Sequence, residues 1–197
     1  DENRIVLVII GDGYTLEEKE KYYNDVNRMV DDLFREVTFK SYLPLFNIYA
    51  VYTSSNDSGI TDLIEKDTAF GLYRAPKGSK RGIMPGDRLA MERALNLASS
   101  KVDYPIVIAN DDYYGGLGGR YAITTRSLNS GSMVLRHELG HNFSNVGEEY
   151  DGGQVYSGAN FSRSSNVPWK HWIEGEVEVH RAKFLTGAYV WKDLTNS

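Results

Sequence analysis

Apolar runs and amphipathic stretches alternate along the first half of the chain. The runs Ile5–Ile10 and Phe46–Tyr52 are rich in β-branched and aromatic residues, which is typical of strands. Between them, Thr15 and Glu18 form a capping-box pattern that begins a predicted helix over residues 16–34. The apolar face of this helix is made of Met29, Val30, Leu33 and Phe34. Strand, helix and strand at this spacing predict a βαβ unit in an α/β sheet.

The second half adds two helices and two strands to this pattern. Asp87–Ser99 is predicted to be a helix, Tyr104–Ala109 a strand, and Tyr121–Thr125 an edge strand. A further helix is predicted over Gly131–Val146, with Gly147 as its stop. The predicted buried side of the first of these helices consists of Leu89, Ala90, Ala94, Leu95 and Leu97. No repeat or linker divides the chain, so residues 1–197 are expected to form one domain.

Composition excludes several functional classes. The fractions of 41% hydrophobic and 25% charged residues are ordinary for a globular protein. A net charge of −5 argues against a nucleic-acid partner, since binding to phosphates needs clustered Lys and Arg. The chain has no cysteine, which excludes disulfides, a thiol nucleophile and a Cys-ligated metal. No apolar run approaches the length of a membrane span, so no membrane partner is expected.

The strongest chemical signal is the H-E-x-x-H pattern at residues 137–141. On a helix, His137 and His141 lie on one face and can bind one metal ion together. Glu138 then stands beside the ion, where it can act as a general base towards a zinc-activated water. The alternative is an amphipathic helix whose two histidines are surface or packed residues. The apolar residues around the motif favour the metal site.

Further stretches, taken with this motif, resemble the IgA-peptidase family of zinc metallopeptidases. They occur in the family's order at Gly11–Thr15, Asn56–Gly59, Asp67–Gly71, Tyr114–Gly119, His137–His141, Gly147–Asp151 and Pro168–Trp172. The resemblance implies a secreted zinc endopeptidase of the zincin type that acts on protein or peptide substrates. It also implies a mixed, mostly parallel sheet with an H-E-x-x-H active-site helix. It does not imply that immunoglobulin A is the substrate.

The resemblance places zinc on His137 and His141, with Glu138 as the general base. A metzincin would carry Gly in place of Ser144 and His or Asp in place of Gly147, so that ligand pattern is absent. The family instead has an acidic pair followed by Tyr, here residues 148–150. The expected third ligand is Glu148, with Glu149 and Asp151 as alternatives. The competing interpretation is that these acidic residues are solvent-exposed and only follow the end of the helix. Later candidates of lower rank are Glu174, Glu176, Glu178, His171 and His180.

Other site residues follow from composition and position. The glycine-rich segment and the strand after it are a candidate substrate-binding edge, comprising Gly115, Gly116, Tyr121, Ala122 and Ile123. A plain hairpin is the alternative. Tyr150, or else Tyr114, could donate a hydrogen bond to the oxyanion. A further hypothesis is a structural calcium ion at Asp57, Asp111 or Asp112. The alternative is that these aspartates are ordinary turn residues.

Two rival functions remain open at this stage. In the family the chain continues into a Met-containing turn, whereas Met133 is the last methionine here. The catalytic domain could therefore be incomplete at its C-terminus, with a further fragment or a second chain completing it. That motivates an inactive or truncated zincin acting as a binding module. A von Willebrand-A-like adhesion domain is disfavoured because Tyr14 and Thr15 stand where its D-x-S-x-S pattern would require other residues.

Overall fold

The computed structural model describes residues 3–35, 37–76, 79–148, 158–161, 178–181 and 189–192. The chain forms two compact units, Asp1–Asn142 and Phe143–Ser197. The helices are α1 (Lys19–Leu33), α2 (Val37–Tyr42), α3 (Arg88–Ala98) and α4 (Gly131–Ser144). The strands are β1 (Ile5–Asp12), β2 (Phe46–Val51), β3 (Tyr73–Arg74), β4 (Ile83–Met84), β5 (Tyr104–Ala109), β6 (Gly116–Leu117), β7 (Ala122–Thr125), β8 (Glu178–Arg181) and β9 (Tyr189–Lys192). The expectation of one catalytic domain over residues 1–197 stays a prediction.

A five-stranded sheet of order β2-β1-β5-β7-β6 forms the centre of the first unit. Strands β2, β1, β5 and β7 are parallel, and β6 runs antiparallel to β7. Every residue of β1 after Ile5 is buried, which explains why residues 5–10 are continuously apolar rather than alternating. The predicted α/β class with a mixed, mostly parallel sheet is confirmed. In the second unit, β8 and β9 form an antiparallel pair.

The structure confirms the predicted first helix and its capping box. A 3-10 turn at Leu16–Glu18 precedes α1, and the Thr15 amide donates to Glu18 Oε2 at 3.1 Å. On the predicted face, Met29, Leu33 and Phe34 are buried, and Val30 is half-buried. None of the helices in the described residues is long and apolar enough to cross a membrane.

The buried side of α3 differs from the prediction. Leu95 is fully buried, but Leu89 and Leu97 are 73% and 79% exposed. Met91 is the residue that the prediction missed, and it is fully buried beside Ala94 and Leu95. Positions 91, 94, 95 and 98 share one helical face. Around the helix axis, position 89 is rotated by about 200° from position 91, and position 97 by about 200° from position 95. The choice of Leu89 and Leu97 was therefore wrong, because it followed residue type rather than helical spacing.

Asp12 connects the end of β1 to the loop that follows residue 67. Its buried carboxylate accepts hydrogen bonds from the amides of Phe70 (2.9 Å) and Leu72 (2.8 Å) and from the Thr68 hydroxyl (2.8 Å). Burial raises the pKa of Asp12, and these hydrogen bonds oppose that rise. The loop is thereby fixed at the edge of the sheet where the parallel strands end.

Candidate metal centre

Helix α4 is attached closely to the end of strand β7. The Thr124 hydroxyl donates to the Gly131 carbonyl at 2.8 Å, and a Cβ at Gly131 would overlap the Thr125 carbonyl. Three turns of the helix then bury Val134, Leu135 and Leu139. The predicted helix over 131–146 is confirmed to within two residues. The contacts at its start fix the direction in which the H-E-x-x-H residues point.

His137 and His141 bring their Nε2 atoms to 3.1 Å from each other. Their ring centres are 4.6 Å apart, and the ring planes are nearly perpendicular at 86°. In a tetrahedral zinc site with Zn–N bonds of about 2.0–2.1 Å, two ligand nitrogens lie about 3.3 Å apart. The pair therefore matches the separation that one zinc ion requires. This is the arrangement predicted from the i, i+4 spacing.

Glu138 completes the group. Ligand atoms of Glu138, His137 and His141 lie within 4.8 Å of one another. Oε2 of Glu138 lies against Gly118 so closely that a Cβ at position 118 would overlap it. The glycine-rich segment thus forms one wall of the site beside the carboxylate. The sequence indicated close approach in this segment but could not identify Gly118 as the residue in contact.

Strand β7 is not an edge strand, contrary to the prediction. It lies between β5 and β6, and its four residues are buried. The Gly116 amide on β6 donates to the Arg81 carbonyl at 2.9 Å, and Gly116 also bridges Gly82. A Cβ at Gly115 would lie 2.7 Å from the same Arg81 carbonyl. These glycines allow the neighbouring backbone to approach closely. The role of Gly115 and Gly116 in substrate binding stays a prediction, and so does the role of Tyr121, Ala122 and Ile123.

Sequence reasoning missed Arg74, which holds the segment leading into β6. Its guanidinium donates to Asp111 at 2.9 Å and to the carbonyls of Tyr113 (3.1 Å) and Tyr114 (3.2 Å). The same group lies 4.9 Å from the centre of the Tyr113 ring. Arg74 is only 4% exposed. Apart from the Lys80 carbonyl, which accepts from the guanidinium at 2.6 Å, its partners are 37 or more residues away in sequence, so no local pattern could identify it.

Tyr114, the alternative oxyanion donor, is 39% exposed and carries the Arg81 guanidinium 5.3 Å from its ring centre. Tyr150, the preferred donor, lies outside the described residues. Both assignments stay predictions.

Helix α4 ends at Ser144 and not at Gly147. Asn145 takes the left-handed conformation with φ of 49°, the role that Asn can share with Gly at helix ends. Gly147 is instead held by Asn160, whose side chain accepts from the Gly147 amide at 2.7 Å and donates to its carbonyl at 3.1 Å. The segment after the helix therefore turns on Asn145, and the prediction of Gly147 as the stop was wrong.

The third zinc ligand stays a prediction. Glu148 belongs to the second unit, and the alternatives Glu149 and Asp151 lie outside the described residues. Of the later candidates, Glu178 and His180 lie on β8, and His171, Glu174 and Glu176 are outside the described residues.

The three aspartates considered for calcium have protein partners. Asp57 accepts from the Asp67 amide at 2.8 Å, Asp111 pairs with Arg74 at 2.8 Å, and Asp112 pairs with Arg126. Within the part of the chain that the structure describes, the only group of three or more His, Asp or Glu with metal-site spacing is His137, Glu138 and His141. Bound calcium is thus not needed to explain how these carboxylates are held.

Comparison with known proteins agrees with this geometry. The sequence profile of the family described as IgA Peptidase M64 matches residues 1–197. Among curated proteins, nothing matches the chain. The resemblance inferred from the motifs is therefore confirmed over the whole sequence. With the His137–Glu138–His141 group on α4, this chain belongs to the IgA peptidase M64 family.

Proposed function

We propose that this protein is a zinc-dependent endopeptidase that hydrolyses peptide bonds in protein substrates. The observation that carries the proposal is the 3.1 Å approach of the His137 and His141 Nε2 atoms beside Glu138. Membership of a peptidase family supports the reaction class, since the same donor set alone would fit a non-catalytic zinc site.

We assign the zinc ion to His137, His141 and a carboxylate beyond the helix, with Glu148 preferred over Glu149 and Asp151. Zinc in such a site supplies Lewis-acid chemistry, polarising a water molecule and the scissile carbonyl. The donor set is nitrogen and oxygen only, which suits zinc and leaves no role for thiolate ligation.

Glu138 is the proton carrier in this proposal. Its carboxylate accepts a proton from the attacking water and passes it to the nitrogen of the leaving amine. The contact with Gly118 limits where the carboxylate can move, which keeps it beside the two histidines. Tyr150 is the proposed hydrogen-bond donor to the oxygen of the carbonyl under attack.

We propose that the substrate backbone passes along residues 117–119 rather than along β7. This segment begins at Leu117, the last residue of β6, and contacts Glu138 through Gly118. The Gly116 amide is already hydrogen-bonded to the Arg81 carbonyl, so pairing with a substrate would begin after Gly116.

We also propose that the protein acts outside the cell, as the family resemblance implies. Secretion would be tested by expressing the full-length natural protein and measuring its amount in the culture medium and in the cell pellet.

Metal analysis combined with casein hydrolysis tests the proposed function. Wild type should contain one zinc per chain and hydrolyse casein in a chelator-sensitive manner. Glu138→Ala should keep the zinc and lose hydrolysis, and His141→Ala should lose both. His180→Ala is a control for a histidine that the assignment leaves out.

Each other outcome contradicts part of the assignment. If wild type contained zinc but did not hydrolyse casein, the peptidase assignment would give way to that of an inactive zincin that binds a partner. Retention of hydrolysis in Glu138→Ala would remove Glu138 from the mechanism. Failure to load zinc, after reconstitution, would refute the metal site.

A further inference from the structure

A basic hairpin lies beside the segment that contacts Glu138. Residues 68–86, which include β3 and β4, contain four lysines or arginines and no aspartate or glutamate, although the whole chain has a net charge of −5. This hairpin is joined to β6, because Gly82 bridges Gly116 and the Gly116 amide donates to the Arg81 carbonyl at 2.9 Å. Clustered positive charge beside a binding segment favours a ligand of opposite charge.

Arg81 is the cation of this hairpin that is available to a ligand. Arg74 and Lys80 are each paired with a carboxylate, at 2.8 Å and 3.0 Å, and Lys77 lies outside the described residues. The Arg81 side chain is exposed, and no Asp or Glu of the described residues forms an ion pair with it. Its five N–H donors are therefore not taken up by a carboxylate in the part of the chain that the structure describes.

The position of the Arg81 guanidinium is fixed by its surroundings. It lies 5.3 Å from the centre of the Tyr114 ring, which is a cation–π distance. One nitrogen of the buried Arg74 donates to the carbonyls of Lys80 and Tyr114, at 2.6 Å and 3.2 Å, and so holds the backbone on both sides of this contact. Ordering a long side chain before binding reduces the entropy that binding must offset.

Arg81 is also close to the proposed reaction centre. Its carbonyl accepts from the Gly116 amide, and Gly118, which contacts Glu138, is two residues further on, about 7 Å in an extended chain. A peptide held along residues 117–119 would therefore pass Arg81 within a few residues of the bond that is cut.

We propose that Arg81 selects substrates that carry an aspartate or glutamate a few residues from the scissile bond. This inference rests on the proposed peptidase function and names its substrate class. The guanidinium would donate two parallel hydrogen bonds to the substrate carboxylate while Tyr114 supports its face. The positive charge of the hairpin would also raise the local concentration of acidic segments. Arg81 is thus a specificity residue and takes no part in proton transfer.

Peptide capture measures this preference without requiring hydrolysis. Pools of short randomised peptides carry one fixed Glu, or one fixed Gln at the same position, and are otherwise free of acidic residues. Each position of the peptide is fixed in turn. The pools are passed over immobilised, zinc-loaded Glu138→Ala, and the retained peptides are quantified by mass spectrometry. At one position or more, Glu should be retained about fivefold over Gln, the upper range for an exposed ion pair.

Three further substitutions in the same Glu138→Ala background assign the preference to Arg81. Arg81→Gln should bring the ratio of Glu to Gln close to one. Arg81→Glu should reverse the ratio, which a general loss of structure cannot do. Arg93→Gln is the matched control, because Arg93 is also exposed and forms no ion pair with the described residues, and it should leave the ratio unchanged.

The proposal would be overturned by equal retention of the Glu and Gln pools at every position, or by retention of neither. It would also be overturned if Arg81→Gln kept the preference for Glu. The peptidase assignment is judged separately, by casein hydrolysis with Glu138 intact. If casein were not cleaved but the preference for Glu depended on Arg81, the acidic-peptide site would stand and the peptidase assignment would fall.

Discussion

Gly118 contacts the carboxylate of Glu138, although the two residues lie on different elements and 20 positions apart. Oε2 of Glu138 occupies the space that any larger residue at position 118 would need for its Cβ. The position of the proposed general base thus depends on the absence of a side chain in the loop before β7.

Gly118→Ala should therefore displace Glu138 and reduce kcat/KM for casein about 100-fold or more, the size of a lost general base. Zinc content should not change, because the substitution leaves both histidines in place. Steady-state kinetics with metal analysis would measure both. Loss of zinc, or full activity, would show that the contact does not position the carboxylate.

Gly140→Ala is the matched glycine control within the H-E-x-x-H helix. No atom lies within 4 Å of a Cβ built at position 140. Replacing a glycine inside a helix by alanine should raise the free energy of unfolding by about 0.5–1 kcal/mol. Denaturant unfolding would detect the gain. A destabilised Gly140→Ala would mean that the helix needs flexibility at this position.

Arg74→Gln should destabilise the first unit by about 3 kcal/mol, because Asp111 and three carbonyls lose a buried cationic partner. Arg81→Gln is the control, since Arg81 is exposed and its guanidinium faces the Tyr114 ring. Chemical denaturation of both variants gives the comparison. Equal stabilities would contradict the role of Arg74 in holding the segment before β6.

Glu18 makes stability depend on acid pH. Burial alone would raise its pKa, but hydrogen bonds from Lys21, Thr15, Ser58 and Asn110 outweigh that effect and lower the pKa from 4.5 to about 2. A pKa that is lower in the folded state adds stability above the unfolded value, and this contribution is lost as pH falls through the interval between the two values.

The free energy of unfolding of wild type should therefore exceed that of Glu18→Gln near neutral pH, and the difference should shrink between about pH 4.5 and pH 2. Denaturant titrations across that interval would follow it, with the exposed neighbour Glu17→Gln as the control. A difference that stays constant with pH would assign the effect to lost packing and not to the charge.

Leucines in α3 give a direct test of the observed core. Leu95→Ala should cost about 2–5 kcal/mol because the side chain is fully buried. Leu97→Ala should change stability by about 0.5 kcal/mol or less, since that side chain is 79% exposed. Thermal and denaturant unfolding of the two variants would compare them. Similar losses would show that the solvent-facing side of α3 is covered by another part of the chain.

Features that depend on local periodicity could be predicted from the sequence. The capping box, α1, β1 and β5 are each specified by residues close together in the chain. The histidine pair is also local, because a separation of four residues on a helix fixes it. These predictions needed no knowledge of distant contacts.

Features that depend on pairing between distant residues could not be predicted. Strands β3, β4 and β6 are two residues long, too short to show an alternating pattern, so β7 was mistaken for an edge. The contact of Gly118 with Glu138 likewise depends on how the loop crosses the helix. Several glycines in that loop were equally good candidates, and only the packed structure distinguishes them.

The two borders of the five-stranded sheet are unequal, and this affects self-association. At one border, β6 has two residues, and its Gly116 amide is bonded to Arg81. At the other, β2 is the outermost of the described strands and runs for six residues. A longer edge strand can pair with a strand of another chain, whereas a short edge strand whose amide is already hydrogen-bonded resists such pairing. Aggregation of partly unfolded molecules should therefore extend the sheet from β2, where a lysine or proline substitution would suppress it most.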